Sequence, residues 1–154
     1  MTSDEHYKLL GKLVGNFQSL EFILRMFLQL ASARPIGIPY GTNMYSSPVG
    51  AELPECAFTS YDTLGALIKK FNTEMDARRL STIDVSLVVL RDALAHGRVS
   101  SSTPDGTMRL LKFSEPKKGR VRVVFNQEMT KAWFDAQIER VREAIRAVSN
   151  VMPQ

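Results

Sequence analysis

Leu9, Leu10, Leu13, Val14, Phe17, Leu20, Ile23, Leu24, Phe27, Leu28 and Ala31 recur at three- and four-residue steps, the period of a helix with one apolar face. The pattern predicts a long amphipathic helix, and Thr2, Ser3 or Asp4 stands where its first turn needs a cap. From about 33 to 60 the period stops. Pro35, Pro39, Pro48 and Pro54 alternate with Gly37, Gly41 and Gly50, marking a connection that is unusually long for a compact domain. Ser60 or Tyr61 opens a second helix with Leu64, Leu67, Ile68 and Phe71 on its apolar face, expected to fray near Asn72 and Thr73. Residues 81–84, Ser-Thr-Ile-Asp, read as a variant capping box for a third helix that runs to Ala95 or His96, with Gly97 as its stop.

After a polar turn at 100–106, the runs 107–113 and 120–125 flank 114–119, and β-branched or aromatic residues dominate the second run. A β-hairpin over about 107–125 is expected. Asn126 is placed to cap a last helix in which Phe134, Ile138, Val141, Ile145 and Val148 repeat at alternating steps of four and three. The expected fold is therefore mainly α: an up-and-down bundle of four principal helices with a small hairpin inserted before the last. A chain of 154 residues, 44% hydrophobic and 23% charged, fits one domain over 1–154.

Composition narrows the picture only a little. The opening residues Met1 to His6 are polar and acidic, and no apolar run is long enough for a bilayer, so neither leader nor membrane contact is expected and a soluble, cytoplasmic protein is. Cys56 is the single cysteine, with no second thiolate to share a zinc ion and no base beside it to activate it as a nucleophile. No metal and no cofactor are expected. The formal charge of +4 mildly favours an anionic partner such as nucleic acid. Within the hairpin Arg109, Lys112, Lys117, Lys118, Arg120 and Arg122 oppose a single acid, Glu115. Of these, Lys117, Lys118, Arg120 and Arg122 are candidate contacts to an RNA backbone, and the alternative is a set of charges that solvates the strands and blocks edge pairing. Trp133 and Phe134 are expected as core or interface anchors, with base stacking as the alternative, and His6 is expected to be solvated.

The stretch Leu90-Arg-Asp-Ala-Leu-Ala-His-Gly-Arg-Val99 carries the candidate chemistry. On a helical projection Ile83, Leu87, Leu90 and Leu94 form one stripe, while Val85, Val88, Val89, Asp92 and His96 gather on nearly the opposite side. The second apolar face needs either another helix or a second subunit to cover it. Asp92 and His96 stand at i and i+4, so the carboxylate can reach the imidazole, and the carbonyls at a helix C-terminus favour a cation there. Arg91 lies about 140° from His96 around a straight helix, so one chain cannot easily aim both at one atom. A two-fold dimer with this helix near its axis resolves the divergence.

Arg91-Asp-Ala-Leu-Ala-His96-Gly resembles the motif of HEPN domains, in which Arg and a polar residue precede His by five and four positions near the end of a late helix. This chain has Asp92 where Asn is more usual in that family. The resemblance implies a helical homodimer that binds RNA and cleaves it without a metal ion, with Arg91 and His96 catalytic and Asp92 in support. It also implies a role for Glu21, a carboxylate within the apolar arc of the first helix: it would face Arg91 or His96, where the plainer reading pairs it with Arg25. A nucleotidyltransferase-type antitoxin is the partner such a chain commonly has. The reading from another class is a non-enzymatic helical interaction module, in which the same residues end a helix and hold a dimer together.

Overall fold

The computed structural model describes residues 1–32, 44–101 and 106–153. They form a mainly helical fold with a small antiparallel sheet before the last helix: α1 (Ser3–Ala31), α2 (Leu64–Ala77), α3 (Ser86–His96), β1 (Arg98–Ser101), β2 (Met108–Phe113), β3 (Val123–Glu128) and α4 (Lys131–Asn150). No helix among the described residues is long and apolar enough to cross a membrane. The chain divides into two compact units, Met1–Leu20 with Asp84–Ile145 and Glu21–Ile83 with Arg146–Gln154.

In the first unit, α1 opens with a reciprocal capping box. The Thr2 hydroxyl accepts the Glu5 N–H at 3.2 Å, and the Glu5 carboxylate accepts the Thr2 N–H at 2.8 Å. Leu13 and Phe17 of α1, Leu87, Leu90 and Ala93 of α3, Leu110 of β2, and Phe134, Ile138 and Val141 of α4 are buried, so most of the periodic positions read from the sequence lie in the core, whereas Val14 is exposed and Leu94 and Ile145 are half-buried. The sheet has the order β1-β2-β3, with Arg98 opposite Leu111, Arg109 opposite Glu128, and an irregularity in the β2–β3 ladder between Lys112 and Phe113. Across the tip, Lys117 and Arg120 exchange backbone hydrogen bonds. Lys118 and Gly119 between them both have positive φ, 51° and 73°, as a tight hairpin turn of this twist requires.

Several expectations are corrected here. The sheet has three strands rather than two, because 98–101, expected to lead into a polar turn, pairs along β2 as β1. The remainder of that turn, 102–105, lies outside the described residues. The second hairpin strand starts at Val123 rather than Arg120, since Ser114 and Arg122 close the ladder below the turn. Asn126 lies within β3, and Thr130 caps α4 by accepting the Trp133 N–H at 3.1 Å. Helix α3 begins at Ser86, past the supposed capping box: Asp84 accepts both the N–H and the hydroxyl of Ser86. Those bonds, with the Arg140 guanidinium 2.9 Å away, hold the Asp84 carboxyl down to about 2.

His6 is the largest departure. It is 2% exposed, between the edges of Tyr7 and Phe134 with ring centroids at 5.7 and 5.3 Å, rather than solvated. Its Nδ1 has no hydrogen-bond partner among the described residues, and burial pulls the imidazole below its ordinary range. Of the anticipated aromatic anchors, Phe134 is buried and Trp133 half-buried, in edge contact with each other.

In the second unit, α2 starts at Leu64, with Thr63 as its cap, rather than at Ser60 or Tyr61. It passes through Asn72 and Thr73 without fraying. Asn72 has a partner that the sequence does not display: its amide accepts from Ile83 N at 2.8 Å and donates to Ile83 O at 2.9 Å, satisfying a connector backbone. The helix ends with Arg79 at φ 58° while Arg79 N and Leu80 N bond Asp76 O and Met75 O, the paired bonds of a Schellman motif. Phe27 and Phe71 meet edge to face at 5.0 Å. Of the long connection, 33–43 lies outside the described residues, and 44–60 is irregular apart from one 3₁₀ turn, Met44–Ser46. Its end is pinned by Arg25, whose guanidinium donates to Ser60 O and Asp62 O, each at 2.7 Å.

Candidate functional site

The end of α3 is shaped by Gly97. Its φ and ψ of −75° and 172° are open to any residue, so its necessity is not conformational. A Cβ there would lie 2.4 Å from the Ala93 carbonyl oxygen and 2.5 Å from Leu110 Cδ1. Glycine lets the chain leave α3 and enter β1 against β2 with one residue between them. His96 thus ends the helix, and Arg98 starts the strand.

His96 and Asp92 share a side of α3, as their spacing predicts. Nε2 lies 3.6 Å from Asp92 Oδ1, an ion-pair distance too long for a hydrogen bond, and the side chains are 65% and 42% exposed. The second carboxylate oxygen is taken by Lys112 of β2, which donates to Asp92 Oδ2. Asp92 therefore ties helix to sheet while facing the imidazole. On the same side of α3, Val85 and Val89 are exposed, at 64% and 54%. The second apolar face anticipated from the sequence is open in the single chain.

Beyond His96 lies an open groove of about 570 Å³, lined by His96, Arg98, Phe113, Ser114, Glu115, Pro116 and Val121. The Arg98 guanidinium sits 5.3 Å from the centroid of the Phe113 ring, a cation–π distance. Arg91 is half-buried and is not among the groove's lining residues. Glu21 is half-buried on α1 in the second unit.

The basic hairpin divides into two sets. Arg109 pairs with Glu128 and Asn126, and Lys112 with Asp92, so these two charges are engaged in holding strands and helix. Lys117, Lys118, Arg120 and Arg122 are exposed at the hairpin end and form no ion pair among the described residues. The residues that sequence reading missed are Arg98, Phe113 and the Lys112 contact. The usable signal was an arginine directly beyond the helix-ending His-Gly step, because a strand starting there must run beside the histidine. A smaller cavity of about 190 Å³, lined by His6, Thr2, Ser3, Thr130 and Lys131 among others, lies where α1 and α4 begin. Comparison with protein-family models, with curated proteins and with solved structures finds no match for this chain.

Proposed function

We propose that this protein is a HEPN-like, cytoplasmic RNA-binding protein that cleaves RNA without a metal ion, through Arg91 and His96 brought together at a homodimer interface. The observation that carries the reading is the exposed end of α3, where His96 faces solvent beside Asp92 and shares its side with the uncovered Val85 and Val89. A second copy covering those valines about a two-fold axis would bring its own Arg91 and His96 into the same cleft. The reading carries with it the up-and-down four-helix bundle of that family, with Glu21 in support and a nucleotidyltransferase-type antitoxin as partner.

The chemistry is internal transfer at phosphorus. The ribose 2′-hydroxyl gives its proton to one His96 as the O2′–P bond forms. The P–O5′ bond breaks, and the 5′ oxygen takes a proton from the His96 of the other copy, leaving a 2′,3′-cyclic phosphate. Arg91 stabilises the charge gathered on the phosphoryl oxygens, and Lys117, Lys118, Arg120 and Arg122 follow the backbone outside the cleft.

Incubating the protein with single-stranded and structured RNA in EDTA, beside His96→Ala and Arg91→Ala, tests this. Cleavage by the parent and loss in both variants is expected; equal cleavage by all three, or none by the parent, overturns it. Sizing in solution is the second arm, because a strict monomer leaves Arg91 and His96 apart. The Lys112–Asp92 tie favours the other reading, a non-enzymatic dimeric module in which Asp92 serves the fold. That reading predicts a dimer without cleavage.

A further inference from the structure

The nuclease reading leaves one difficulty within each chain, since Arg91 and His96 diverge on α3. The groove beyond His96 supplies a different cation on the imidazole's own side. We infer that Arg98 and Phe113 form, with His96, a site for one nucleotide of single-stranded RNA, complete within a single chain. Arg98 binds the phosphate, and the base stacks beside the Phe113 ring. The inference takes its ligand class from the proposed function and adds residues that the motif does not contain.

Four observations carry it. The Gly97 step fixes His96 and Arg98 on either side of a single residue, with no Cβ space for a looser turn. The Arg98 guanidinium carbon lies over the Phe113 ring, 5.3 Å from its centroid, and a guanidinium held against an aromatic ring still carries N–H donors in a fork that matches two phosphate oxygens. The groove holds about 570 Å³, within the ~300–1,000 Å³ range of small-ligand sites, so it suits one splayed nucleotide rather than a duplex. Lys117, Lys118, Arg120 and Arg122 lie on the hairpin end that forms one wall, with Glu115 the acid among the lining residues, and this charge suits a polyanion continuing past the site.

The probe is a fluorescein-labelled single-stranded hexanucleotide with 2′-fluoro riboses, which cannot undergo 2′-hydroxyl attack, followed by anisotropy in EDTA at several salt concentrations. Arg98→Ala and Phe113→Leu are expected to weaken binding about fivefold or more, the usual effect of removing one stacking partner. Arg98→Ala should also reduce the salt slope by about 0.7, one phosphate contact to a single strand. Arg98→Lys should keep the slope and still bind more weakly, because an ammonium does not stack as a guanidinium does. Phe113 is half-buried, so the exposed Arg98 position decides if Phe113→Leu unfolds; Arg142→Ala controls for loss of a remote charge. Parental affinity and slope in both Arg98 variants, or equal competition by a duplex, overturns the inference. If binding depends on Arg98 while unmodified RNA is never cut, the site stands and the nuclease reading falls. If His96→Ala abolishes cleavage while the Arg98 variants bind and cut like the parent, the nuclease reading stands and the site falls. No binding at all overturns both.

Discussion

Lys112 of β2 donates to the same Asp92 carboxylate that lies 3.6 Å from His96 on α3. The helix that presents the histidine is thereby fastened to the strand whose end, Phe113, forms the groove. Lys112 is only 21% exposed and Asp92 42%, so the pair is better shielded than an ordinary surface ion pair. We expect Lys112→Met and Asp92→Asn to be coupled in a double-mutant cycle by ~1 kcal/mol in urea unfolding, above the usual surface pair. Additive losses would show that the contact contributes nothing to the fold.

Gly97→Ala should destabilise by ~1–3 kcal/mol, the range for forcing an atom into packed space, because one obstruction is a backbone oxygen that cannot rotate away. Relief would have to come from moving β1 off the end of α3, which separates Arg98 from His96. Thermal unfolding should show a lower Tm, and hexanucleotide binding should weaken in the protein that remains folded. A Gly97→Ala protein as stable as the parent would contradict the crowding at this step.

The helices were legible because burial and period coincide: Leu13, Phe17, Leu20, Leu87, Leu90, Phe134, Ile138 and Val141 are all read from spacing, and all are buried. The errors share a physical cause, a partner distant in sequence. Strand β1, Arg-Val-Ser-Ser, is exposed at every position and has no alternation to betray it; its pairing is set by β2. Asn72 looks like a helix breaker until Ile83 is placed against its amide. His6 reads as a solvated terminal residue, yet the ring that buries it belongs to Phe134. Within the candidate site, the Asp92–His96 spacing lies on one helix and could be read directly, whereas Arg98 over Phe113 depends on a strand register that no local pattern announces.

Arg79→Gly should stabilise the protein. Arg79 occupies the left-handed region at φ 58° in the position of the Schellman motif that glycine usually fills, where a side chain costs ~1 kcal/mol. Its side chain is exposed and forms no ion pair among the described residues. A gain of about 0.5–1 kcal/mol, after glycine's larger unfolded-state entropy, is expected in urea unfolding. Arg78→Gly provides the opposite case, since Arg78 has a negative φ of −91° that any residue adopts, pairs with Glu74 at 3.6 Å and lies over the Phe27 ring at 5.8 Å. That neighbour should lose stability where Arg79→Gly gains it.

His6 should make stability depend on pH in a predictable direction. Burial pulls its folded-state pKa below the ordinary 6.5, so the folded protein prefers the neutral imidazole while the unfolded chain takes up a proton more readily. The stability associated with neutral His6 is therefore fully present above about pH 6.5 and is lost as pH falls through the lower folded value. Unfolding midpoints in urea should fall between pH 7.5 and pH 5.5 in the parent, where most carboxylates have yet to titrate. His6→Leu removes the buried proton acceptor and should flatten that fall. His96→Ala, which removes the exposed imidazole, should retain it. If His6→Leu keeps the full pH dependence, the buried pocket between Tyr7 and Phe134 tolerates a charged imidazole.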